Sequence, residues 1–258
     1  MTINKEIHKE SILNNDDFLE IIKYFNSDGV VIDDRGRNVI KTFKVKGLII
    51  NVKSFKIPNI VNQVAYKYIR DSKAKRSYKY ANILIEKNIL TPQPFAYYEY
   101  FSKLGLKHSY YFSNHLKYDL TYRELKSKPK YPDFENILRQ FTQFTFKLHE
   151  NGIYFKDHSP GNTLIVKIDK KYDFYLIDLN RMNFLELDLN ARIKNFSRLT
   201  EEKDMVKIMS DEYAKLIHKP FEYIYKKMWN ETKAFRKKYN KKARLKEKYL
   251  GRKSTDQK

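Results

Sequence analysis

Asp157, Asn162 and Asp178 are the residues whose types and spacing suggest chemistry. Asp157 and Asn162 bracket a tight Ser159-Pro160-Gly161 turn. Residues 163–168 then read as a buried strand, 169–173 as a turn and 174–177 as a second strand. Two antiparallel strands of similar length return a chain to its starting end. Asn162, entering the first strand, and Asp178, leaving the second, are therefore expected side by side. Two such oxygen ligands suit a hard cation such as Mg²⁺ bound to phosphates. A lone carboxylate nearby, Asp157, would take a proton from a hydroxyl.

A long helix must deliver the chain into this loop. Residues 133–150 carry Ile137, Leu138, Phe141, Phe144 and Leu148 on one stripe, with Asp133 placed to cap the start and Asn151-Gly152 to end it. His149, near its C-terminal end, reads as structural or solvated, and His158, inside the loop, as a candidate substrate contact. Upstream, residues 16–25 read as a short helix with Phe18, Ile21, Ile22 and Phe25 on one face. Residues 29–32 and 38–45 read as a hairpin in which Ile40 and Lys41 break the alternation. Residues 48–52 form a strand leading to Lys53 and Lys56. Helices follow at 59–68 and at 73–87, the latter with Ala74, Tyr78, Ala81 and Ile85 on one face. Strands follow at 96–100 and 109–113, and residues 120–132 read as a polar connector. Further helices are expected over 195–224, with Phe196, Leu199, Met205, Ile208 and Met209 in the core.

The order of these features resembles the protein-kinase-like superfamily, in which Asp-x-x-x-x-Asn is the catalytic loop and a later Asp at a strand end holds Mg²⁺. The wording, Asp157-x-Ser159-Pro160-Gly161-Asn162 followed by Ile177-Asp178-x-Asn180-Arg181-Met182, is similar to the lipopolysaccharide kinase (Kdo/WaaP) family. The resemblance extends upstream through Gly36, 52–56, 72–78 and 91–94, covering roughly residues 28–200. It implies an α+β, bilobal protein-kinase-like fold with a small β-rich N-lobe (26–111), a larger helical C-lobe (112–224) and a basic C-terminal helix or tail (225–258). It implies that Lys53, with Lys56 as the fallback, steadies the phosphates of ATP, that Asn162 and Asp178 hold Mg²⁺, and that Asp157 is the catalytic carboxylate. Residues 35–38 occupy the place of the nucleotide-covering loop, and 114–118 that of the lobe connection that seats adenine. Arg181 carries over from the family pattern without an assigned role.

Three positions depart from the pattern. Lys79 stands where the family has the helix Glu that orients the strand lysine, leaving Glu86 or Asp71 as substitutes. Phe155 stands where catalytic loops of the His-Arg-Asp type have the His that braces the backbone, with Lys156 in place of Arg. The Ala-Pro-Glu element that shapes a peptide site in protein kinases is absent.

The chain of 258 residues has 52 Lys+Arg against 31 Asp+Glu, a net charge of +21. That excess favours anionic partners, either a phosphorylated glycolipid or an anionic membrane surface. Nucleic acid is not the expected partner. Cysteine is absent, which excludes thiol and disulfide chemistry. The N-terminus has no apolar signal core and no run is long enough to span a bilayer. A cytoplasmic protein is expected, peripheral on the cytoplasmic face of the inner membrane if the basic tail binds there. The expected activity is ATP-dependent phosphorylation of a Kdo or heptose hydroxyl in the lipopolysaccharide inner core. The alternatives are a small-molecule phosphotransferase and a non-catalytic, kinase-like basic binding module.

Overall fold

The computed structural model describes residues 1–34 and 38–250, so the expected phosphate contacts of Arg35, Gly36 and Arg37 lie outside the described residues. The chain divides into two units, 1–118 with 175–181, and 119–174 with 182–258. The first thus runs past residue 111 and recruits a short later segment.

The first unit is built on strands β1 (Thr2–Ile7), β2 (Val30–Asp33), β3 (Asn38–Val45), β4 (Leu48–Phe55), β5 (Pro94–Ser102) and β6 (Gly105–Asn114). They pair in the order β1-β5-β6-β4-β3-β2, antiparallel throughout. Alternation along each strand sends side chains to opposite faces. Ile50, Val52, Ala96, Tyr98 and Phe112 pack against Phe18 and Ile21 of α1 (Asn15–Tyr24) and against Phe25 just after it. Asn14 caps α1 reciprocally with Asp17. The opposite face, with Phe55 and Tyr97, packs against Ala74 and Tyr78 of α3 (Lys73–Glu86), which follows α2 (Ile60–Tyr68). In α3 it is Leu84, not Ile85, that is buried. β1, part of a stretch that reads only as a polar lead-in, owes its place to main-chain pairing with β5; every residue but Ile7 is exposed.

Lys41 breaks the strand pattern for a local reason. It is buried beside Phe43, and its ammonium donates to the carbonyls of Phe25 (2.6 Å), Asp28 (2.9 Å) and Asn26 (3.4 Å) just past α1. Hydrogen bonds to a charged group contribute about 1.5–3 kcal/mol, and carbonyls at a helix C-terminus favour a cation.

The second unit holds β7 (Leu120–Thr121), α4 (Tyr122–Ser127), α5 (Phe134–Glu150), β8 (Ile153–Phe155), β9 (Thr163–Ile168), β10 (Lys171–Leu176), β11 (Met182–Phe184), α6 (Leu189–Asn195), α7 (Lys203–Leu216) and α8 (Phe221–Leu250). A 3-10 turn, Phe196–Arg198, follows α6. The expected connector 120–132 instead contains α4, whose Tyr122 and Leu125 are fully buried. Its capping box, Thr121 with Glu124, closes the first turn. The loop between β9 and β10 is shorter than expected, because Asp169 adopts φ 55° and turns the chain before Lys171. Phe141 and Leu138 of α5 lie in one core with Phe196, Leu199, Met205 and Met209. Asp133 does not cap α5: it is left-handed (φ 65°), and its carboxylate accepts from Asn136 and the Tyr172 hydroxyl. The basic C-terminal segment 225–258 is in part core, since Met228 and Thr232 of α8 are buried.

Candidate active site

Within the second unit, α5 ends at Gly152 (φ 68°), and β8 carries the chain into the Asp157 loop. The loop is braced from elements distant in sequence. Asn195, at the end of α6, donates from Nδ2 to the Phe155 carbonyl at 2.8 Å, and the His158 amide donates to the same carbonyl at 3.1 Å. Asn195 Oδ1 must therefore accept, so the His149 nitrogen 3.2 Å away, Nε2, carries the proton. His149 Nδ1 then accepts from the Tyr213 hydroxyl at 2.8 Å. This chain of buried polar groups does the bracing that a His at position 155 would do. Phe155 itself is fully buried.

Arg198, in the 3-10 turn, donates to Asp157 Oδ1 at 2.7 Å and to the Lys156 carbonyl at 2.8 Å. Phe235 of α8 lies 5.6 Å beneath the guanidinium. Arg198 fixes both the carboxylate and the backbone that presents it. Asn162 donates from Nδ2 to the carbonyl of Asp157 at 2.8 Å, which directs its amide oxygen, the atom suited to a cation, away from the loop backbone. At Gly161 a Cβ would lie 2.9 Å from the Arg123 guanidinium, which would have to shift to admit it.

His158 is not a substrate contact. It is fully buried, stacks on Phe141 with centroids 5.4 Å apart, and meets Thr145 Oγ1 at 3.3 Å. Burial pushes its pKa down to about 3, and that of His149 down to about 4. Both are neutral in the fold, and the unfolded chain binds their protons first, near pH 6.5. Stability supplied by the neutral forms is complete above that pH and is lost as pH falls through 6.5 toward 4. For His149 alone the expected loss by pH 5 is about 2 kcal/mol. Urea unfolding at pH 7 and pH 5 checks this; a midpoint unchanged between them would contradict it. Asn195→Ala should leave the Phe155 carbonyl short of a donor and lower kcat by about 10²-fold through loop displacement, with KM for nucleotide nearly unchanged.

Within the first unit, residues 175–181 dock beside the sheet. Leu176 donates its amide to the Leu90 carbonyl (3.0 Å) and accepts from Thr91 Oγ1 (2.8 Å). Two residues on, Asp178 is left-handed at φ 57°. A non-glycine residue in that region is held there by its surroundings. Its Oδ1 accepts from Lys53 Nζ and from Asn180 Nδ2, both at 2.6 Å. Lys53 and Asp178 are 125 positions apart in sequence. Lys56 is exposed and lies outside this pair. Neither suggested substitute for the helix Glu reaches Lys53. Asp71 is bound by Lys75 (3.0 Å) and Lys79 (2.8 Å), and Glu86 is exposed.

No protein-family model matches the sequence, and no curated protein does. The fold does find matches. One is a solved structure of WaaP in complex with acyl carrier protein, aligned over 92% of this chain and 98% of that chain at a TM-score of 0.62 and 13% identity. The fold is kinase-like and similar to that of WaaP. It is mixed α and β, with a sheet-rich unit and a helical unit. In all 983 chains match, so the fold by itself does not choose a reaction.

Each unit carries one oxygen donor of the kind a Mg²⁺ ion takes. Asp178 offers a carboxylate and Asn162 an amide oxygen, both hard donors. Arg198 and Asn195 leave no signal in the sequence, and Asn180 appears there only within the Ile177–Met182 motif, because their partners lie in other elements or depend on a backbone bend. Among the described residues no helix is long and apolar enough to cross a membrane.

Proposed function

We propose that this chain is an ATP-dependent kinase that phosphorylates a sugar hydroxyl, Kdo or heptose, of the lipopolysaccharide inner core. The observation that carries the reading is the Lys53–Asp178 pair: it joins the strand lysine to the carboxylate at the end of the Asn162–Asp178 hairpin, as a kinase-like phosphate and metal site requires. Bound Mg²⁺ would neutralise charge on the β- and γ-phosphates. Asn162 and Asp178 are its proposed ligands, Asn162 immediately preceding β9 and Asp178 lying two residues past β10. Lys53 steadies the phosphates. Asp157, oriented by Arg198, holds the acceptor hydroxyl and accepts its proton as the oxygen–phosphorus bond forms and the bond to the ADP oxygen breaks.

A glycolipid acceptor with anionic groups suits a chain of net charge +21 and a location on the cytoplasmic face of the inner membrane. The WaaP structure holds an acyl carrier protein, and for this chain such a partner is a second proposal to test beside the glycolipid. A non-catalytic reading is favoured by one observation: Asp71, ahead of α3, is held by Lys79 and Lys75, and Glu86 of α3 is exposed, so neither pairs with Lys53. Purified protein assayed for Mg²⁺-dependent ATP turnover on core oligosaccharide separates the readings. Cells lacking the protein should yield core oligosaccharide lighter by one phosphate. Normal core mass and no turnover on any sugar would leave the binding-module reading.

A further inference from the structure

Helix α2 is turned inside out. On a helical wheel Ile60, Val64, Tyr68 and Val61 fall within a 100° arc. An amphipathic helix ordinarily buries such an arc. Here all four face solvent, with Val61 73% and Tyr68 69% exposed, while the buried position of the helix is Gln63. Ile57 before the helix and Ile69 after it, 80% exposed, are also uncovered. The β5–β6 turn adds Leu104, 61% exposed. That turn is held beside α2 by Lys67, whose ammonium donates to the carbonyls of Ser102 and Lys103. Gly105 (φ 141°) permits the approach: a Cβ there would lie 2.4 Å from the Gln63 carbonyl oxygen. The patch is thus a built surface on a fixed helix.

Its charge selects the occupant. Between Asp34 and Asp71 the sequence contains no Asp or Glu, against nine Lys and Arg. Lys56 precedes the helix, Lys67 lies at the edge of the face with its ammonium on the turn carbonyls, Arg70 follows the helix with its guanidinium on Asn62 and over Tyr66, and Lys103 sits exposed in the adjoining turn. The nearest carboxylate along the chain, Asp71, is held by Lys75 and Lys79. A cavity of about 400 Å³ adjoins the patch, lined by Lys56, Ile57, Asn59, Asn62 and Lys73, with no carboxylate among its lining residues. Asp71 and Glu99 line a second cavity, beside Tyr68 and Ile69, but cations outnumber carboxylates around the exposed branched and aromatic side chains, which matches a bilayer interface carrying negative headgroups. A protein surface able to cover the same patch would need an apolar centre and an acidic rim in register.

We infer that α2 is a membrane-docking helix that seats its apolar face among the acyl chains of an anionic bilayer, with the flanking lysines and Arg70 at the headgroups. The surface owes nothing to the proposed reaction, and its test involves no turnover.

The full-length protein is mixed with vesicles of phosphatidylcholine containing phosphatidylglycerol, and separately with phosphatidylcholine alone, at roughly 0.15 M salt. Binding is expected only to the anionic vesicles. The variant Val61→Ser, Val64→Ser, Tyr68→Ser should partition at least about tenfold less, because about three buried side chains are lost from the interface. Arg70→Gln with Lys103→Gln should weaken binding and reduce its salt dependence. None of these side chains is buried, so the variants should melt as the parent does. The cysteine-free chain allows a local check. An environment-sensitive dye at Val61→Cys should shift to the blue with anionic vesicles, whereas one at Glu20→Cys, on α1 across the sheet, should not. Undiminished partitioning of the triple-serine variant overturns the inference, as does an equal shift at both labels. Absence of vesicle binding by the parent also overturns it and returns the patch to a protein partner.

Discussion

Asp157→Asn is expected to bind ATP nearly as tightly as the parent while turning over about two to four orders of magnitude more slowly, the usual range for losing a positioned general base. The substitution keeps size and an acceptor oxygen for Arg198, so the bond at Oδ1 and the one from Arg198 to the Lys156 carbonyl can persist. What is lost is the negative charge that receives the acceptor's proton. Nucleotide affinity should hold because Lys53, Asn162 and Asp178 are untouched. The measurement is single-turnover phosphorylation alongside equilibrium nucleotide binding. Collapse of both together would make Asp157 a structural or metal residue. Survival of turnover would call for another proton acceptor. His158 is excluded as that group, since it is fully buried between Phe141 and Thr145.

Asp178→Asn should abolish phosphoryl transfer at saturating Mg²⁺, with a loss of at least about 10²–10³-fold, the range for removing one preorganised electrostatic group. Asn is a cleaner choice than Ala. Position 178 is left-handed at φ 57°, a region Asn tolerates and Ala enters at a cost of about 1–2 kcal/mol. Lys53 would lose its counter-charge, but the Asp178 carboxylate is 36% exposed, so solvent screening limits the stability effect. Circular dichroism should show a folded protein with a slightly lower melting temperature. Asp178→Ala should give the same loss of activity with a larger drop in stability. Near-normal turnover by the folded Asn variant would remove Asp178 from the metal site and require other ligands for the ion.

Periodic elements were legible in the sequence because they report local physics. The α5 stripe, with its glycine stop, came out with four of its five apolar positions fully buried, Phe144 being only half-buried. The α1 face lies where its helical spacing placed it, and β3 over its expected residues, while β4 runs on past Val52 to Phe55 and so takes Lys53 into the strand. Errors gathered where a residue's partner is remote. The start of the chain reads as polar lead-in, yet Thr2–Ile7 is a strand, because pairing with β5 uses backbone groups that leave no side-chain pattern. Asp133 looked like a cap, but a left-handed backbone turned its carboxylate toward Tyr172. The segment 120–132 looked polar because α4 buries only Tyr122 and Leu125.

For the candidate site, the sequence alone determined the chemical types and their loop contexts: a carboxylate, Asp157, followed by a turn and an amide, Asn162, then a hairpin and a second carboxylate, Asp178. Those follow from turn chemistry and strand alternation within some twenty residues. Only the tertiary structure decided what holds them. It set Lys53 against Asp178 from 125 positions away, and it replaced an absent bracing His by Asn195, His149 and Tyr213. It also tied Asp157 to Arg198, and it turned the apolar face of α2 outward. The reason is the same in each case. A hydrogen bond, an ion pair or a packing face depends on the distance between groups in space, and periodicity along the chain carries no record of distances between elements that meet only on folding.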